Sequence, residues 1–433
     1  MKRAAYSSLL EWKKSSSRKP LVLYGSRQVG KTWLLQDFGR KEYKNTVYLN
    51  FDKNRDFHKF FGDDISPNRI IRSLKIYFNT EISFEETLII FDEIQECQRA
   101  KDSLKYFHED DPRYHIAAAG SFLGIANGKF PVGQVDEFTI YPLSFYEFLE
   151  AIGEFRILDA VRSLDFSLIA GLSGKLIDLL KTYMYVGGMP EVVKTFAERQ
   201  DLNVMREVQE TILNNYKSDF SKHIKSTDIA KVRMLWDSIP FHLAKEKKKF
   251  MYKEIKQGGR ASEFENAMDW LVNTGLVYKV SRTTDPKIPL ASHAEREFFK
   301  LYMLDVGLLC AKSLLNITTL AFPNNSIFAE FKGALSEQYV LQELKILKHL
   351  PIFYWGNASG KSEVDFILQY ENEIVPLEVK SDLNTKSYSL SVYIEKYLPS
   401  RVIRTSLKNY GKAPPLYSIP LYMIESIKDI LKS

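Results

Sequence analysis

The sequence contains only two cysteines, Cys97 and Cys310, far apart and without a metal-ligand spacing. That excludes a disulfide scaffold and a cysteine-bound zinc, and it points to a reducing, cytoplasmic setting. The seven histidines form no H-x-x-x-H or H-E-x-x-H pair, which excludes a histidine zinc site as well. No run approaches the ~18 apolar residues of a membrane helix, and MKRAAYSSLLEWKKSSSRK at the start holds no apolar stretch of signal-peptide length. A membrane partner is therefore not expected. There is no internal repeat or low-complexity segment. Charge of one sign is also scarce: 60 Lys plus Arg against 54 Asp plus Glu leave a net +6. That balance permits DNA or RNA as a partner without arguing for either, because phosphate-tracking proteins concentrate their excess charge.

What is present is an ordinary globular composition, 45% hydrophobic and 26% charged, in a chain of 433 residues. At about 100–200 residues per domain this suggests two to four domains. The first part alternates strand and helix patterns. LVLY (21–24), TVYLNFD (46–52), TLIIFDE (87–93) and HIAAAGS (115–121) are strand candidates, and NRIIRSLKIYF (68–78) is a helix between two of them. Such alternation predicts a mostly parallel sheet with helices on both faces. Residues 155–245 read as helical, broken at YVGGMPE (185–191) by two glycines and a proline. Residues 250–282 read as helix, turn, helix, strand, with Gly275 ending the second helix. A long amphipathic helix over 327–349 then precedes strands at 353–355, 363–370 and 373–380.

The strongest chemical signal is GSRQVGKT, formed by Gly25, Ser26, Arg27, Gln28, Val29, Gly30, Lys31 and Thr32. Its glycines let the backbone curl so that N–H groups face phosphate oxygens. Lys31 supplies a positive charge for the β- and γ-phosphates, and the Thr32 hydroxyl is a Mg²⁺ ligand at a helix N-terminus. The motif follows a strand and opens a helix, as that mechanism requires. LIIFDE supplies the second half. A buried strand ending in two acids is costly unless the acids have work to do. Asp92 is read as the Mg²⁺ carboxylate, and Glu93 as the base that positions and activates the attacking water. Ser121, ending the fourth strand, is a candidate γ-phosphate sensor if that strand lies between the first and third.

Taken in order, GSRQVGKT, LIIFDEIQE, AAGSFLG, YPLSFYEFL, YVGGMPEVV and FKLYMLDVGLL resemble the prokaryotic AAA-type ATPases that carry a C-terminal domain of unknown function. The resemblance runs from about residue 15 to the end. It implies a RecA-like core, with a glutamate next to the Mg²⁺ aspartate, and a C-terminal half of nuclease-like fold. One departure concerns the Gly-Arg pair that such relatives carry before the PLSF segment. Here it is Gly133-Gln134, so an arginine finger at that place is missing or replaced by a neighbour such as Lys129.

The unit at 250–282 resembles a winged helix flanked by KEKKKF (245–250), Lys253, Lys256, Arg260, Lys279 and Arg282. DNA contact through its second helix is one reading. Glu263, Glu265 and Asp269 on that helix repel phosphate and favour the other, a packing module.

In the C-terminal part, strand alternation sets Asp365 opposite Val364, Phe366 and Leu368, and puts Glu378 and Lys380 on one face opposite Leu377 and Val379. A short turn at 371–373 makes the two strands a hairpin. Asp365, Glu378 and Lys380 then resemble the PD-(D/E)xK nuclease pattern, and Glu337 on the preceding helix matches the acid such enzymes place there. On this reading Glu337, Asp365 and Glu378 hold a second Mg²⁺ or Mn²⁺, with Lys380 beside the attacking water. The competing readings are a solvated hairpin face and a nuclease fold used for binding without cleavage.

The expected architecture is therefore multi-domain α/β. A P-loop core with a RecA-like parallel sheet spans 1–152 and a helical region 153–225. A winged-helix-like module covers 226–320 and a small mixed-sheet, nuclease-like domain 321–433. The expected activity is Mg²⁺-dependent ATP hydrolysis coupled to a nucleic-acid-binding or nuclease-like module. The alternative is a nucleotide-dependent switch whose C-terminal domain binds a protein partner, a second copy or DNA without cleaving.

Overall fold

A computed structural model describes residues 1–121, 133–245, 248–315, 326–381 and 387–432. The fold is α/β and separates into two compact units, Met1–Tyr141 with Asn273–Gly275, and Pro142–Val272 with Leu276–Ser433.

The first unit is a five-stranded parallel sheet of β1 (Leu21–Tyr24), β2 (Asn45–Asn50), β3 (Thr87–Asp92), β4 (His115–Ala119) and β5 (Asp136–Thr139), in the order β2-β3-β4-β1-β5. β3 and β4 are buried along their whole length, which is why they read as continuous apolar runs rather than alternating ones. Helices Lys31–Glu42, Pro67–Phe78 and Gln98–Glu109 make the crossovers. On one sheet face Val47, Leu49, Ile89, Phe91 and Ile116 pack with Ile70, Leu74, Leu104 and Phe107 of those helices. Phe51, Phe61 and Phe91 meet edge-to-face at 5.4–5.8 Å. Burying one such ring contributes about 1.5–3 kcal/mol. β1 sits beside β4, with β3 beyond it, so the ends of β1, β3 and β4 converge at the carboxyl edge of the sheet, where open α/β sheets take ligands.

The second unit begins with a helical array from Phe145 to Ala244 and continues into an eight-stranded mixed sheet. Its strands are β6 (Val277–Thr283), β7 (Ala294–Met303), β8 (Ile352–Gly356), β9 (Glu363–Tyr370), β10 (Glu373–Val379), β11 (Val402–Ser406), β12 (Gly411–Ala413) and β13 (Leu416–Pro420). The order is β12-β13-β11-β10-β9-β8-β6-β7. β9 and β10 form the expected hairpin, with Glu371 in the left-handed region (φ 53°) at its turn. Helix Tyr388–Tyr397 covers one face through Leu390 and Tyr393, which pack on Trp355, Val364 and Ile367.

Three sequence motifs of this unit meet in one place. Gly188 of YVGGMPE accepts a hydrogen bond from Leu143 N of the PLSF segment (2.6 Å) and donates to Asp305 Oδ2 of YMLDVG (2.6 Å). A β-carbon at Gly188 would lie 2.1 Å from the Leu143 carbonyl oxygen, so the close approach requires glycine.

Two expectations change. Residues 250–260 form no α-helix. Only Tyr252–Glu254 coil, as a 3-10 turn, because Gly258 and Gly259 follow at once. The strand of that module is not a free wing either: β6 pairs with β7 and also with β8, inside the C-terminal sheet. The long helix spans Ser326–Ile346 and is not amphipathic. Residues 334–344 are all buried, with Gln338 and Gln342 spending their amides on the backbone of Met303 and Val306. Among the described residues no helix is long and apolar enough to cross a membrane.

Candidate functional site

The phosphate loop lies between β1 and helix Lys31–Glu42, with Gly25 at φ 146°, Gln28 at 67° and Gly30 at 93°. A β-carbon on Gly25 would meet the Ile140 carbonyl oxygen at 2.5 Å, so only glycine fits the start of the loop. Lys31 is 6% exposed, and its ammonium donates to the carbonyls of Gly25 (2.8 Å) and Ser26 (2.7 Å). Burial pushes its pKa down to about 8, against the opposing pull of Glu93 and Asp92. Thr32 Oγ1 donates to both oxygens of Asp92, at 3.1 and 3.0 Å. Asp92 Oδ2 also accepts from Tyr48 OH at 2.6 Å and from Asn50 Nδ2 at 3.1 Å. These are hard oxygen donors beside a loop shaped for phosphate, a set that fits Mg²⁺.

Glu93, the next residue, takes the left-handed conformation (φ 49°). One oxygen accepts from Gln95 Nε2 at 2.6 Å and the other from Ser121 Oγ at 3.4 Å. The structure thus brings Lys31, Thr32, Asp92, Glu93 and Ser121 to one edge of the sheet, with β4 lying between β1 and β3. Gln134 has its side-chain oxygen buried without a hydrogen-bond partner, and Lys129 lies outside the described residues.

Beside the loop, Arg3 donates to the Val29 carbonyl at 2.8 Å and the Tyr141 carbonyl at 2.6 Å, tying the N-terminal segment to the phosphate loop. A cavity of about 340 Å³ opens there, lined by Arg3, Tyr6, Trp33 and Lys41 among others.

In the second unit Glu337, Asp365, Glu378 and Lys380 do converge, but as an ion-pair network. Glu337 accepts from the Lys248 ammonium, from Tyr302 OH (3.1 Å) and from Lys300 Nζ (3.5 Å). Lys300 Nζ also lies 2.5 Å from Glu363 and 4.0 Å from Asp365. Asp365 Oδ2 accepts from Val379 N at 2.8 Å. Glu378 Oε1 accepts from Lys380 (2.7 Å) and Ser387 (2.7 Å), while its Oε2 is buried without a partner. Burial opposes charge on Lys300, yet Glu337 and Glu363 hold its pKa well above the usual lysine value. Burial raises the pKa of Asp365, and Glu337 and Glu378 raise it further. Burial also opposes charge on Glu337, but Lys248 and Lys300 hold its pKa down to about 2.

Among the described residues no three His, Cys, Asp or Glu side chains are grouped so as to hold a metal ion. Glu337 instead pairs with the ammonium groups of Lys248 and Lys300. Lys380 binds Glu378 rather than standing free beside it.

Comparison with known proteins fits the first site. Residues 17–149 match the model of an AAA domain family. The first unit carries an AAA-type P-loop ATPase domain. Residues 177–320 and 332–423 match two families described only as domains of unknown function. No curated protein matches the chain. Among solved structures, the chain is similar to the Walker-type ATPase of Pyrococcus abyssi at 14% identity, covering 72% of this chain and 95% of that one, with a TM-score of 0.44. It is also similar to the Aeropyrum pernix Orc1 protein in complex with DNA (12% identity, 73% and 92% covered, TM-score 0.29). The Thermotoga maritima RuvB Holliday junction branch migration motor gives 11% identity, 63% and 86% covered, and a TM-score of 0.28. Similarity at that level does not carry function from those proteins to this chain.

The sequence reading missed Tyr48, Asn50 and Gln95 at the ATPase site, and Lys248 and Lys300 at the C-terminal cluster. A signal existed for two of them: Asn50 ends a strand beside the aspartate strand, and Lys300 is a lone lysine in the apolar run FFKLYM.

Proposed function

We propose that the protein is a Mg²⁺-dependent ATPase whose C-terminal domain is a binding module that does not cleave its partner. The observation supporting the first half is the assembly of Lys31, Thr32, Asp92, Glu93 and Ser121 at one sheet edge. Thr32 and Asp92 would hold the Mg²⁺ ion, which supplies positive charge against the β- and γ-phosphates. Lys31 exchanges its two loop carbonyls for phosphate oxygens, and the loop N–H groups from Gly25 to Thr32 cradle the rest of the chain of phosphates. Glu93 orients a water and takes its proton, with Gln95 and Ser121 fixing the carboxylate. The cavity beside Trp33 has the room and the aromatic surface for the base. The buried Lys300–Glu337 pair favours binding over cleavage in the second half, since ammonium groups already pair with the Glu337 and Glu378 carboxylates. DNA, RNA and a protein partner are all compatible with such a module.

The test is turnover in the full chain. Lys31→Ala should lose tight ATP binding by calorimetry. Glu93→Gln should bind ATP but hydrolyse it about a hundredfold more slowly. Unchanged ATP affinity in a folded Lys31→Ala protein would overturn the reading. A Mn²⁺- or Mg²⁺-dependent cleavage of DNA or RNA, lost in Asp365→Asn, would overturn the non-cleaving half.

A further inference from the structure

A cavity of about 280 Å³ lies in the second unit near the junction of β6 and β8. Lys249, Arg282, Tyr354, Ser362 and Glu363 line it. Its cations are held in an unusual way. Lys249 Nζ and the Arg282 guanidinium carbon each lie 3.8 Å from the centre of the same ring, Phe298. The ring attracts both, but it cancels neither charge.

Arg282 spends one amino group on Glu295 at 2.5 Å, and its Nε is buried without a hydrogen-bond partner. Lys249 has no ion pair among the described residues. Burial pushes its pKa down, and the neighbouring Arg282 and Lys253 push it further, with only Glu295 opposing. Glu363 also faces the cavity, but Lys300 already sits 2.5 Å from its carboxylate. The turn beside the cavity cannot serve as a backbone nest. Gly360 N is taken by the Asn357 carbonyl, and Lys361 N and Ser362 N by Asn357 Oδ1. Recognition therefore falls to side chains: a point charge, a guanidinium fork, and the Ser362 hydroxyl, with Tyr354 as an apolar wall. A fork beside a compact ammonium suits a ligand with several oxygens around one centre better than a planar carboxylate.

We propose that this cavity binds a phosphate group, carried by a free phosphate compound or by a nucleic-acid strand. The proposal names the ligand chemistry of the binding module suggested above and rests on that reading. It is tested in the full chain without ATP or Mg²⁺, so the ATPase site is not engaged.

Two probes separate the sources. Fluorescence anisotropy follows a labelled single-stranded 20-mer, as DNA and as RNA. Calorimetry follows inorganic phosphate, using the Lys31→Ala chain so that the phosphate loop does not contribute. Lys249→Ala is the clean variant, because it breaks no hydrogen bond or ion pair among the described residues. Arg282→Ala is combined with Glu295→Gln so that no unpaired acid is left. Each variant should weaken binding about tenfold, and Lys249→Arg should retain it. For the strand, Lys249→Ala should also reduce the slope of log affinity against log salt by about one. Loss of phosphate binding with unaltered strand binding supports the proposal and assigns the cavity to a free phosphate compound. Loss of both assigns it to the strand. If Lys249→Ala and the double variant bind both probes as the parent does, or if the parent binds neither, the proposal is overturned. In the former case strand binding elsewhere would leave the binding-module reading standing.

Discussion

The Lys300 ammonium lies 3.5 Å from the Glu337 carboxylate, with side chains only 1% and 7% exposed. A charge buried that deeply persists only if it is paired, and removing one partner leaves the other uncompensated. Lys300→Met should therefore destabilise the protein by about 3–5 kcal/mol. It should also leave Glu337, Glu363 and Asp365 without their shared cation. Thermal melts with and without Mn²⁺ check this. With Asp92→Asn in both chains, so that the phosphate-loop site does not contribute, the parent should not respond to Mn²⁺, whereas Lys300→Met should regain part of its lost melting temperature. A parent that gains stability from Mn²⁺ would show that the lysine does not fill the cation's place.

Gln95 Nε2 donates to the Glu93 carboxylate at 2.6 Å, beside the left-handed backbone of Glu93 (φ 49°). Gln95→Ala should lower kcat by about three- to tenfold through lost orientation, with KM for ATP unchanged. Gln95→Asn should recover little, because its amide is one methylene short. Steady-state kinetics distinguishes this from a structural defect, which would move KM as well.

Gly25→Ala places a β-carbon 2.5 Å from the Ile140 carbonyl oxygen, in a backbone conformation (φ 146°) that L-residues avoid. The loop must open or shift. ATP affinity should fall by at least about tenfold, at a cost of roughly 1–3 kcal/mol in stability. Calorimetry and a thermal melt report the two effects separately.

Glu425 has an oxygen buried without a partner, and its pKa is pushed up to about 7 by burial, with Glu147 adding to the rise. The folded state then keeps a proton that the unfolded chain releases above its ordinary value of 4.5. The contribution to stability is nil below that value, falls as pH rises toward 7, and levels off above it. Glu425→Gln removes the titration. It should raise stability by about 1–3 kcal/mol at pH 8 and change it little at pH 4.5, as read from denaturant unfolding at the two pH values.

The ATPase site was legible because its chemistry is local. The phosphate loop is one continuous segment, and Asp92 and Glu93 announce themselves as acids ending an apolar strand. The strands flanking the loop could be ordered only as a condition, which the β4 position between β1 and β3 meets. The C-terminal hairpin was legible for the same reason, since alternation at Asp365, Glu378 and Lys380 fixes their facing. Its electrostatics were not. Lys248 and Lys300 reach Glu337 across separations of 89 and 37 residues, and no local pattern records such a meeting. The long helix was misread because its inner polar residues, Gln338 and Gln342, look like a solvent face until their backbone partners are known.

The pairing of β6 with β8 also bears on inheritance. The two regions of unknown function meet between residues 320 and 332, yet β6 and β7 lie in the first region and β8 to β13 in the second. One sheet is thus written across two stretches that family models treat as separate modules. The same holds for the ion cluster, whose lysines at 248 and 300 come from one stretch and whose acids from the other. Recombination at that seam would join a strand edge to a stranger and buried acids to whatever cation the new neighbour happened to bring. Compatible exchange between relatives should therefore carry residues 248 to 420 as one piece, and lineages that have shuffled this half should show their breakpoints upstream of it.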